Sequence, residues 1–268
     1  MIRRGIGVQG FVSAVVSTDA DAQAFITTAG ITDATQQSAI NTLVTDLKTY
    51  GVWTKMKAIY PFVGGTASAH KFNLKDPRDL DAAFRLVFSG GWTHSSTGAL
   101  PNGTNGYADS FLQLQNLSNI SNHLSAYIPT NLIDNKSVIG AYDGGTRFTI
   151  LGTSTSSIST GMYYCSYNLT FGCDVNTTRS GFLAGSYISG TERLFKNGSL
   201  IKTNTIINTA STSTRNFYLG ALNSNGTAGQ FMNNQFRFAS IGDGLTDTEA
   251  ANLYTAVQAY QTTLSRNV

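Results

Sequence analysis

The sequence predicts a mainly β fold: a sandwich of short strands, preceded by a short helical segment and closed by a C-terminal helix. Three observations lead to this prediction. From Lys57 onward, apolar and polar residues alternate with a period of two in many short runs. Clusters of Gly, Asn, Asp and Ser separate most of these runs, which is typical of all-β sandwiches. Helical spacing of apolar residues occurs before Met56 and again after Thr246.

The chain begins with residues 1–17, a mixed apolar and small-residue stretch that fits either a strand or an assembly arm. Ser17 or Thr18 can then cap a first short helix. Gly30 stands where such a helix ends, because glycine readily adopts the left-handed conformation of a C-terminal cap.

A second helix is predicted between Asp33 and Gly51. Asp33, followed three residues later by Gln36, approximates a capping box. Four apolar residues then form one seam: Ile40, Leu43, Leu47 and Tyr50. This seam either packs on the sandwich or first helix, or packs on copies of itself around a symmetry axis. We therefore predict a docking or oligomerisation segment at 1–55 and a sandwich domain at 56–268.

The strands of the sandwich are predicted from their alternation and from the turns between them. Asp143-Gly144-Gly145 and Asn197-Gly198 each supply the positive φ values of a tight hairpin turn. The predicted strands are 57–63, 70–74, 83–89, 107–114, 123–128, 137–142, 146–151, 161–171, 179–187, 194–196, 200–203, 217–221 and 236–241.

The last helix has the clearest local signal. Thr246 and Glu249 form a T-x-x-E capping box. The helix that follows has one apolar face: Ala250, Leu253, Tyr254, Val257 and Leu264. We expect this face to lie against the edge of the sandwich and to protect that edge from pairing with other strands.

Three stretches resemble a known family. Residues 191–258 contain, in order, K-N-G-S-L-I, N-F-Y-L-G-A and F-R-F-A-S-I-G-D-G-L-T-D-T-E-A-A-N-L-Y. This order resembles the second half of the LamG-like, concanavalin A-like jelly roll, and residues 86–113 resemble its first half. Residues 57–77 resemble leaders of this module in bacteriophage virion proteins. The resemblance spans 57–254 and implies a concanavalin A-like jelly-roll β-sandwich.

Composition and charge exclude several classes of function. Charged residues make up 12% of the chain, about half of the ~25% usual in globular proteins. The net charge is +3, and the Lys and Arg residues are scattered without a basic stripe, so we expect no nucleic-acid partner. No apolar run approaches the ~18 residues of a membrane span. Gln9 and Ser13 interrupt the early apolar run, so we expect no signal peptide.

The residues needed for catalysis are sparse. Several concanavalin A-like enzymes hydrolyse glucans with an E-x-D-x-x-E strand, which places paired carboxylates side by side. This chain has only Glu192 at a hairpin and Glu249 at a helix cap. His70, His94 and His123 form no metal-ligand pattern. We therefore predict no enzymatic activity, no cofactor and no metal.

The cysteines and loop aspartates predict neither a disulfide bond nor a calcium site. Cys165 and Cys173 can bridge neighbouring strands, but buried free thiols are the preferred interpretation. Some LamG-like modules bind calcium through loop aspartates, and four aspartates are available here: Asp109, Asp134, Asp143 and Asp174. They do not form the D-x-D-x-D cluster that a calcium loop uses.

One loop region combines the groups that recognise sugars. Trp92, His94, Asn105, Tyr107 and Asp109 lie within 18 residues that include a long Gly/Asn/Ser loop. An aromatic face beside amide and carboxylate groups offers stacking and directional hydrogen bonds together. These five residues are the candidate glycan site. The alternative is that Trp92 and Tyr107 anchor the core of the sandwich.

The resemblance implies a non-enzymatic bacteriophage virion structural protein, either a fibre or spike or a capsid or tail decoration. Its place would be the virion exterior and its jelly roll would face outward. Its expected partners are other virion proteins and host surface polysaccharide, and its expected assembly is a homotrimer. The alternative is a bacterial carbohydrate-binding or adhesin module.

Overall fold

Two β-sheets packed face to face, with helices on the outer side of one sheet, form the computed structural model of this chain. This confirms the predicted β-sandwich with a helical N-terminal segment and a C-terminal helix. The structure describes residues 18–131, 134–145, 147–153, 162–166, 173–175, 177–206 and 213–268.

The elements follow the chain in this order. The helices are α1 (Ala20–Ala29), α2 (Ala34–Thr49), α3 (Ala67–His70) and α4 (Asp247–Thr263). The described strands are β1 (Met56–Tyr60), β2 (Val87–Ser89), β3 (Trp92–Ser95), β4 (Gly98–Pro101), β5 (Tyr107–Gln113), β6 (Ser121–Ile128), β7 (Lys136–Tyr142), β8 (Phe148–Thr153), β9 (Met162–Ser166), β10 (Cys173–Val175), β11 (Gly181–Ile188), β12 (Thr191–Lys196), β13 (Ser199–Thr205), β14 (Asn216–Leu219), β15 (Leu222–Ser224), β16 (Thr227–Gly229) and β17 (Phe238–Gly242).

The sandwich is built from a six-stranded and a nine-stranded sheet. The six-stranded sheet has the order β1-β17-β6-β11-β12-β13, and every neighbouring pair in it is antiparallel. The nine-stranded sheet has the order β10-β9-β8-β7-β14-β5-β2, with β15 and β16 attached beside β7. Strands β3 and β4 form a separate hairpin.

Two apolar layers hold these sheets and helices together. Between the sheets, Leu112 and Phe217 of the nine-stranded sheet meet Leu124 and Leu183 of the six-stranded sheet. On the other side of the six-stranded sheet, a second cluster joins its strands to helices α1, α2 and α4. The six-stranded sheet is therefore buried on both faces, which explains the continuous burial of strand β11 from Gly181 to Tyr187.

The helix seam is used inside a single chain. Ile40, Leu43 and Leu47 are fully buried in the cluster that α2 shares with α4 and the six-stranded sheet. Only Tyr50 remains at the surface, with 36% of its area exposed. The burial corrects the self-association interpretation for these three residues, because their side chains already have intramolecular partners.

Helix α4 covers a sheet face as well as reaching a strand edge. Leu253 and Val257 lie in the same buried cluster as Phe182 and Phe195 of the six-stranded sheet. The predicted capping box is present: Thr246 Oγ1 accepts from the Glu249 amide, and Glu249 accepts from the Thr246 amide. The helix thus reaches edge strand β13 as expected, and it also packs against α2 and the outer face of the sheet.

Local signals placed other termini well. Gly30 caps α1 with a left-handed φ of 65°, but the N-cap residue is Asp19 and not Ser17 or Thr18, because the Asp19 side chain accepts from the Asp21 amide. Asp33 caps α2 as predicted. Gln36 does not complete a box, because its side chain accepts from the Gly64 amide. The Asn197-Gly198 turn has the expected φ values of 47° and 75°.

Several predicted strands differ from the structure. The stretch 70–74 contains the end of α3 and a turn, because Asn73 satisfies backbone groups through its side chain: Oδ1 accepts from the Ile59 amide and Nδ2 donates to the Ala83 carbonyl. In 83–89 only Val87–Ser89 is a strand, after a 3-10 turn at Asp81–Ala83. Strand β9 ends at Ser166, and 167–171 lie outside the described residues.

Two further sequence predictions concern residues that lie partly or wholly outside the described part of the chain. Cys165 is buried, but the side chain of Cys173 lies outside the described part of the chain, so the preference for two free thiols over a disulfide stays a prediction. Residues 1–17 lie wholly outside the described part of the chain, so their role as a strand or an assembly arm also stays a prediction. Within the described residues, no helix is both long and apolar enough to cross a membrane.

Truncating Leu253 should test the helix-to-sheet layer. Leu253→Ala removes a fully buried side chain and should cost about 2–5 kcal/mol of unfolding free energy. Thr255→Ala, at an exposed position of the same helix, should change that free energy by less than about 0.5 kcal/mol. Denaturant unfolding of both variants checks the difference, and equal midpoints would contradict the packing of α4.

Acid should destabilise the fold through His123. Its Nδ1 donates to the Asp243 carbonyl at 2.6 Å, so Nε2 accepts from Ser240 Oγ at 3.0 Å. Burial lowers the pKa of His123 from 6.5 to about 4. Below pH 6.5 the unfolded chain therefore binds a proton that the folded chain does not. The contribution of the neutral His123 to the unfolding free energy is fully present above that pH. The unfolding free energy should fall by roughly 2–3 kcal/mol as the pH approaches about 4.

The matched variant for this pH dependence is His123→Gln. This variant retains the carboxylates of the chain. Any loss of unfolding free energy at acid pH that it shares with the parent protein is therefore caused by protonation of those carboxylates. Denaturant unfolding at about pH 7 and about pH 4.5 should show a smaller loss in the variant. Equal losses in the two proteins would rule out His123 as the source.

Candidate functional site

The predicted candidates Trp92 and His94 belong to an aromatic cluster. Trp92 Nε1 donates to the Ser89 and Tyr107 carbonyls, both at 3.2 Å. The Phe88 ring packs edge-on against the rings of Trp92 and His94, with centroid distances of 5.1 Å and 4.6 Å. The structure thus gives Trp92 and His94 a packing role that ties the β3–β4 hairpin to β2 and β5, in line with the core alternative for Trp92.

His94 also contacts a second histidine. The Nδ1 atoms of His70 and His94 are 2.9 Å apart, which requires one of them to carry the proton and the other to accept it. Burial lowers the pKa of both rings, that of His70 to about 3. The pair is therefore neutral near neutral pH and acts as a fixed hydrogen-bonded contact.

Asn105, a third predicted candidate, shapes the loop between β4 and β5. Its Oδ1 accepts from the Gly91 amide at 3.0 Å and from Asn102 Nδ2 at 2.8 Å. Asn102 Oδ1 in turn accepts from the amides of Thr104, Asn105 and Gly106. These bonds satisfy the loop backbone and leave Asn105 exposed at its surface.

The remaining two candidates lie on the outward side of strand β5. Their neighbours Ala108 and Leu112 point into the core between the sheets. The Tyr107 ring stacks on Tyr218 of β14, with centroids 4.5 Å apart and planes 25° apart. Tyr107 and Asp109 are therefore together, but Trp92 and His94 lie in the cluster described above.

Asp109 organises a bulge in β5. Asp109 pairs with Tyr218 and Gln113 pairs with Asn216, so three residues of β5 face a single residue of β14. The Asp109 carboxylate accepts from the Phe111 amide at 2.9 Å and from Asn216 Nδ2 at 2.9 and 3.1 Å. Burial is the main cause that raises the pKa of Asp109.

Ser110 supplies the second support of the bulge. Its hydroxyl donates to the Phe217 carbonyl at 2.7 Å and accepts from the Leu112 amide at 3.2 Å. Two side chains therefore replace ladder hydrogen bonds that β14 cannot make to the bulged residues. As a result, the half-buried Phe111 ring lies beside a surface groove.

This groove is the site that the sequence did not predict. It is open to solvent, has a volume of about 420 Å³, and is lined by Asp81, Ala82, Phe84, Phe111, Gln113 and Asn116. We call it the Phe84–Phe111 groove. Two half-buried aromatic rings, of which Phe84 also packs against the core between the sheets, thus stand beside two amides and a carboxylate.

Both phenylalanines of the groove have a left-handed backbone. Phe84 has φ 60° and Phe111 has φ 54°, a conformation that is unfavourable for bulky residues. Phe84 is held there by Tyr60, whose hydroxyl donates to the Phe84 carbonyl at 2.6 Å. Strain of this kind costs about 1–3 kcal/mol per residue and is concentrated at functional sites. Phe62 in the core has a similar φ of 49°, so the groove is a candidate binding site because its two strained rings also line an open surface beside polar groups.

The polar groups of the groove are held by their neighbours. Asp81 accepts from Arg85 Nε at 2.8 Å. Asn116 Oδ1 accepts from the Gln113 amide at 2.7 Å, and Gln113 Oε1 accepts from Gln115 Nε2 at 2.6 Å. The carboxylate and amides therefore have defined orientations, as directional recognition of hydroxyl groups requires.

The sequence held one signal for this groove. Asp109 and Ser110 stand in the middle of a predicted strand, although both residue types bond to nearby backbone and favour irregular structure. The position of Phe84 had no such signal. Among the described side chains, no cluster of three or more His, Cys, Asp or Glu is arranged to hold a metal ion.

Comparisons with known proteins show a shared fold. No protein-family model matches the chain, and no curated protein matches its sequence. Domain 4 of AbnA, an extracellular arabinanase from Geobacillus stearothermophilus solved in complex with arabinotriose, is 14% identical with a TM-score of 0.50, over 74% of this chain and 98% of that domain.

Two larger proteins are similar over part of their length. A Trypanosoma rangeli sialidase mutant displaying trans-sialidase activity is 11% identical with a TM-score of 0.55, over 84% of this chain and 39% of the sialidase. A botulinum neurotoxin type C structure, reported with ganglioside-dependent cell entry, is 12% identical with a TM-score of 0.51, over 78% of this chain and 53% of that chain. This chain thus spans well under two thirds of either protein.

Replacing Phe111 by glycine should separate strain from stability. Phe111→Gly relieves a left-handed conformation that glycine adopts freely, which offsets the lost contacts of a half-buried ring. We expect its unfolding free energy to change by less than about 1 kcal/mol, while Phe88→Gly, a half-buried ring without positive φ, should cost more than about 2 kcal/mol. Denaturant unfolding measures both, and equal losses would contradict strain at Phe111.

Proposed function

We propose that this protein is a non-catalytic carbohydrate-binding module that holds a glycan in the Phe84–Phe111 groove. One observation carries the proposal: two phenylalanine rings, both in strained left-handed conformations, line an open groove next to the fixed polar groups of Asp81, Gln113 and Asn116. A sugar ring has an apolar C–H face and a rim of hydroxyl groups, and this groove offers partners for both.

The surface of the groove is complementary to a neutral, hydroxyl-rich ligand. The rings supply apolar area that water solvates poorly, and stacking on them is favourable because the ligand loses little conformational freedom. The amides of Gln113 and Asn116 can both donate and accept, while the Asp81 carboxylate accepts. Hydrogen bonds of this kind fix the orientation of a hydroxylated ring.

The structural comparisons support a glycan partner for this fold. The arabinanase domain was solved with arabinotriose, and the toxin is reported to interact with two ganglioside molecules. The likeness concerns the fold, so the argument for binding in this chain comes from its own groove. The proposal therefore follows the carbohydrate-binding alternative of the sequence analysis more closely than the phage interpretation.

The absence of catalysis is part of the proposal. The chain's two glutamates have other roles: Glu192 is buried on β12, and Glu249 completes the cap of α4. The carboxylate of Asp109 is engaged by the Asn216 amide, and that of Asp81 is engaged by Arg85. We assign these carboxylates to positioning and hydrogen bonding.

The bacteriophage setting stays a prediction from the sequence resemblance. It comprises the virion exterior, contact with other virion proteins, a host surface polysaccharide as ligand and a homotrimeric assembly. A glycan-binding groove is compatible with attachment by a virion protein and with adhesion by a bacterial module. The two settings differ in partners, whereas the groove and its test are the same.

A polysaccharide array tests the proposed function. The wild-type protein should bind a subset of bacterial surface and plant cell-wall polysaccharides, and Phe84→Ala should weaken that binding roughly tenfold or more through loss of ring stacking. Leu200→Ala removes an exposed apolar side chain on edge strand β13 of the other sheet and should bind as wild type does. An array without hits, or a Phe84→Ala protein with unchanged binding, would overturn the proposal.

A further inference from the structure

The aromatic surface of strand β5 extends beyond the Phe84–Phe111 groove. Phe111 and Gln113 line the groove, and Asp109 and Tyr107 precede them on the outward side of the same strand. Burial alternates along the whole of β5, through the bulge as well, so these side chains share the outward face and form a row. We call the groove together with Tyr107, Asp109 and Tyr218 the β5 strip.

The far end of the β5 strip has its own aromatic platform. Tyr107 is half-buried and stacks on Tyr218, which is almost completely buried and fixes the position of the Tyr107 ring. Because of the bulge, Asp109 and Gln113 pair with residues only two apart on β14, so Tyr107 and Gln113 lie about four strand steps, roughly 13–14 Å, apart along the sheet. This distance is longer than one sugar ring, so a single monosaccharide would leave one end of the strip unused.

Polar groups connect the two aromatic ends. The Asp109 carboxylate lies between them and receives hydrogen bonds from neutral donors, the Phe111 amide and Asn216 Nδ2. Asp81 stands at the groove end, close enough for its charge to act on Asp109. Arg85 is already paired with Asp79 and Asp81. The carboxylates therefore favour hydroxyl donors over an acidic sugar.

We propose that the β5 strip binds a linear, uncharged oligosaccharide, with one sugar in the Phe84–Phe111 groove and another against the Tyr107–Tyr218 pair. This inference rests on the proposed function and deepens it, because it defines the ligand as a chain with at least two separated contact points. Arg215 lies close enough to Tyr218 for its charge to act on that hydroxyl. The carboxylates of Asp81 and Asp109 lie along the strip itself.

Isothermal titration with oligosaccharides of increasing length tests the inference. The probes are the arabino-, xylo- and cello-oligosaccharide series from disaccharide to hexasaccharide, with oligogalacturonides as the acidic comparison. Affinity in the bound neutral series should rise about tenfold or more from the disaccharide to the longest member. Tyr107→Ala should remove this gain for the long members and leave the disaccharide affinity unchanged.

The matched controls are Tyr107→Phe, which retains the stacked ring, and Tyr50→Ala, which removes an exposed tyrosine on the helical side. Both should keep the dependence on length. Affinity that is independent of length, equal loss at every length in Tyr107→Ala, or tighter binding of oligogalacturonides would overturn the inference and leave the groove function standing. Absence of binding by every series would overturn the inference and the proposed function together.

Discussion

The candidate site depends on the hydrogen bonds of the Asp109 carboxylate. This carboxylate accepts from the Phe111 amide and from Asn216 on the neighbouring strand, and so holds the β5 bulge against β14. With Ser110, which bridges to the Phe217 carbonyl, it satisfies backbone groups that the ladder leaves open. The carboxylate was a predicted sugar contact, and its observed bonds give it a positioning role.

The strain of the site is balanced elsewhere in the fold. The six-stranded sheet is buried between the nine-stranded sheet and the helices, so its core contributes apolar burial on two faces. Left-handed conformations at Phe84 and Phe111 persist only because surrounding contacts determine them. Tyr60 shows this coupling directly, since its ring lies in the core between the sheets while its hydroxyl holds the Phe84 carbonyl.

The sequence predicted those features that depend on neighbouring residues. The Asn197-Gly198 hairpin and the Thr246/Glu249 cap are encoded within four residues, and both were predicted correctly. The stretch 70–74 was assigned to a strand because nothing local shows that Asn73 bonds to β1. The Phe84–Phe111 groove was missed for the same reason. A positive φ at phenylalanine is imposed by tertiary contacts, and alternation alone assigns such a ring to the core.

The placement of the predicted sugar contacts has a physical explanation. Trp92 and Tyr107 have the same aromatic signal in the sequence, but the indole N–H of Trp92 finds two backbone carbonyls and draws the ring into a cluster. Tyr107 lies on the outward side of β5, where its stacked partner Tyr218 fixes it without covering it completely. A binding surface built on strands in this way is ordered before the ligand arrives. A rigid platform of fixed rings therefore suits weak, hydroxyl-rich ligands, because little binding energy is lost to ordering the protein.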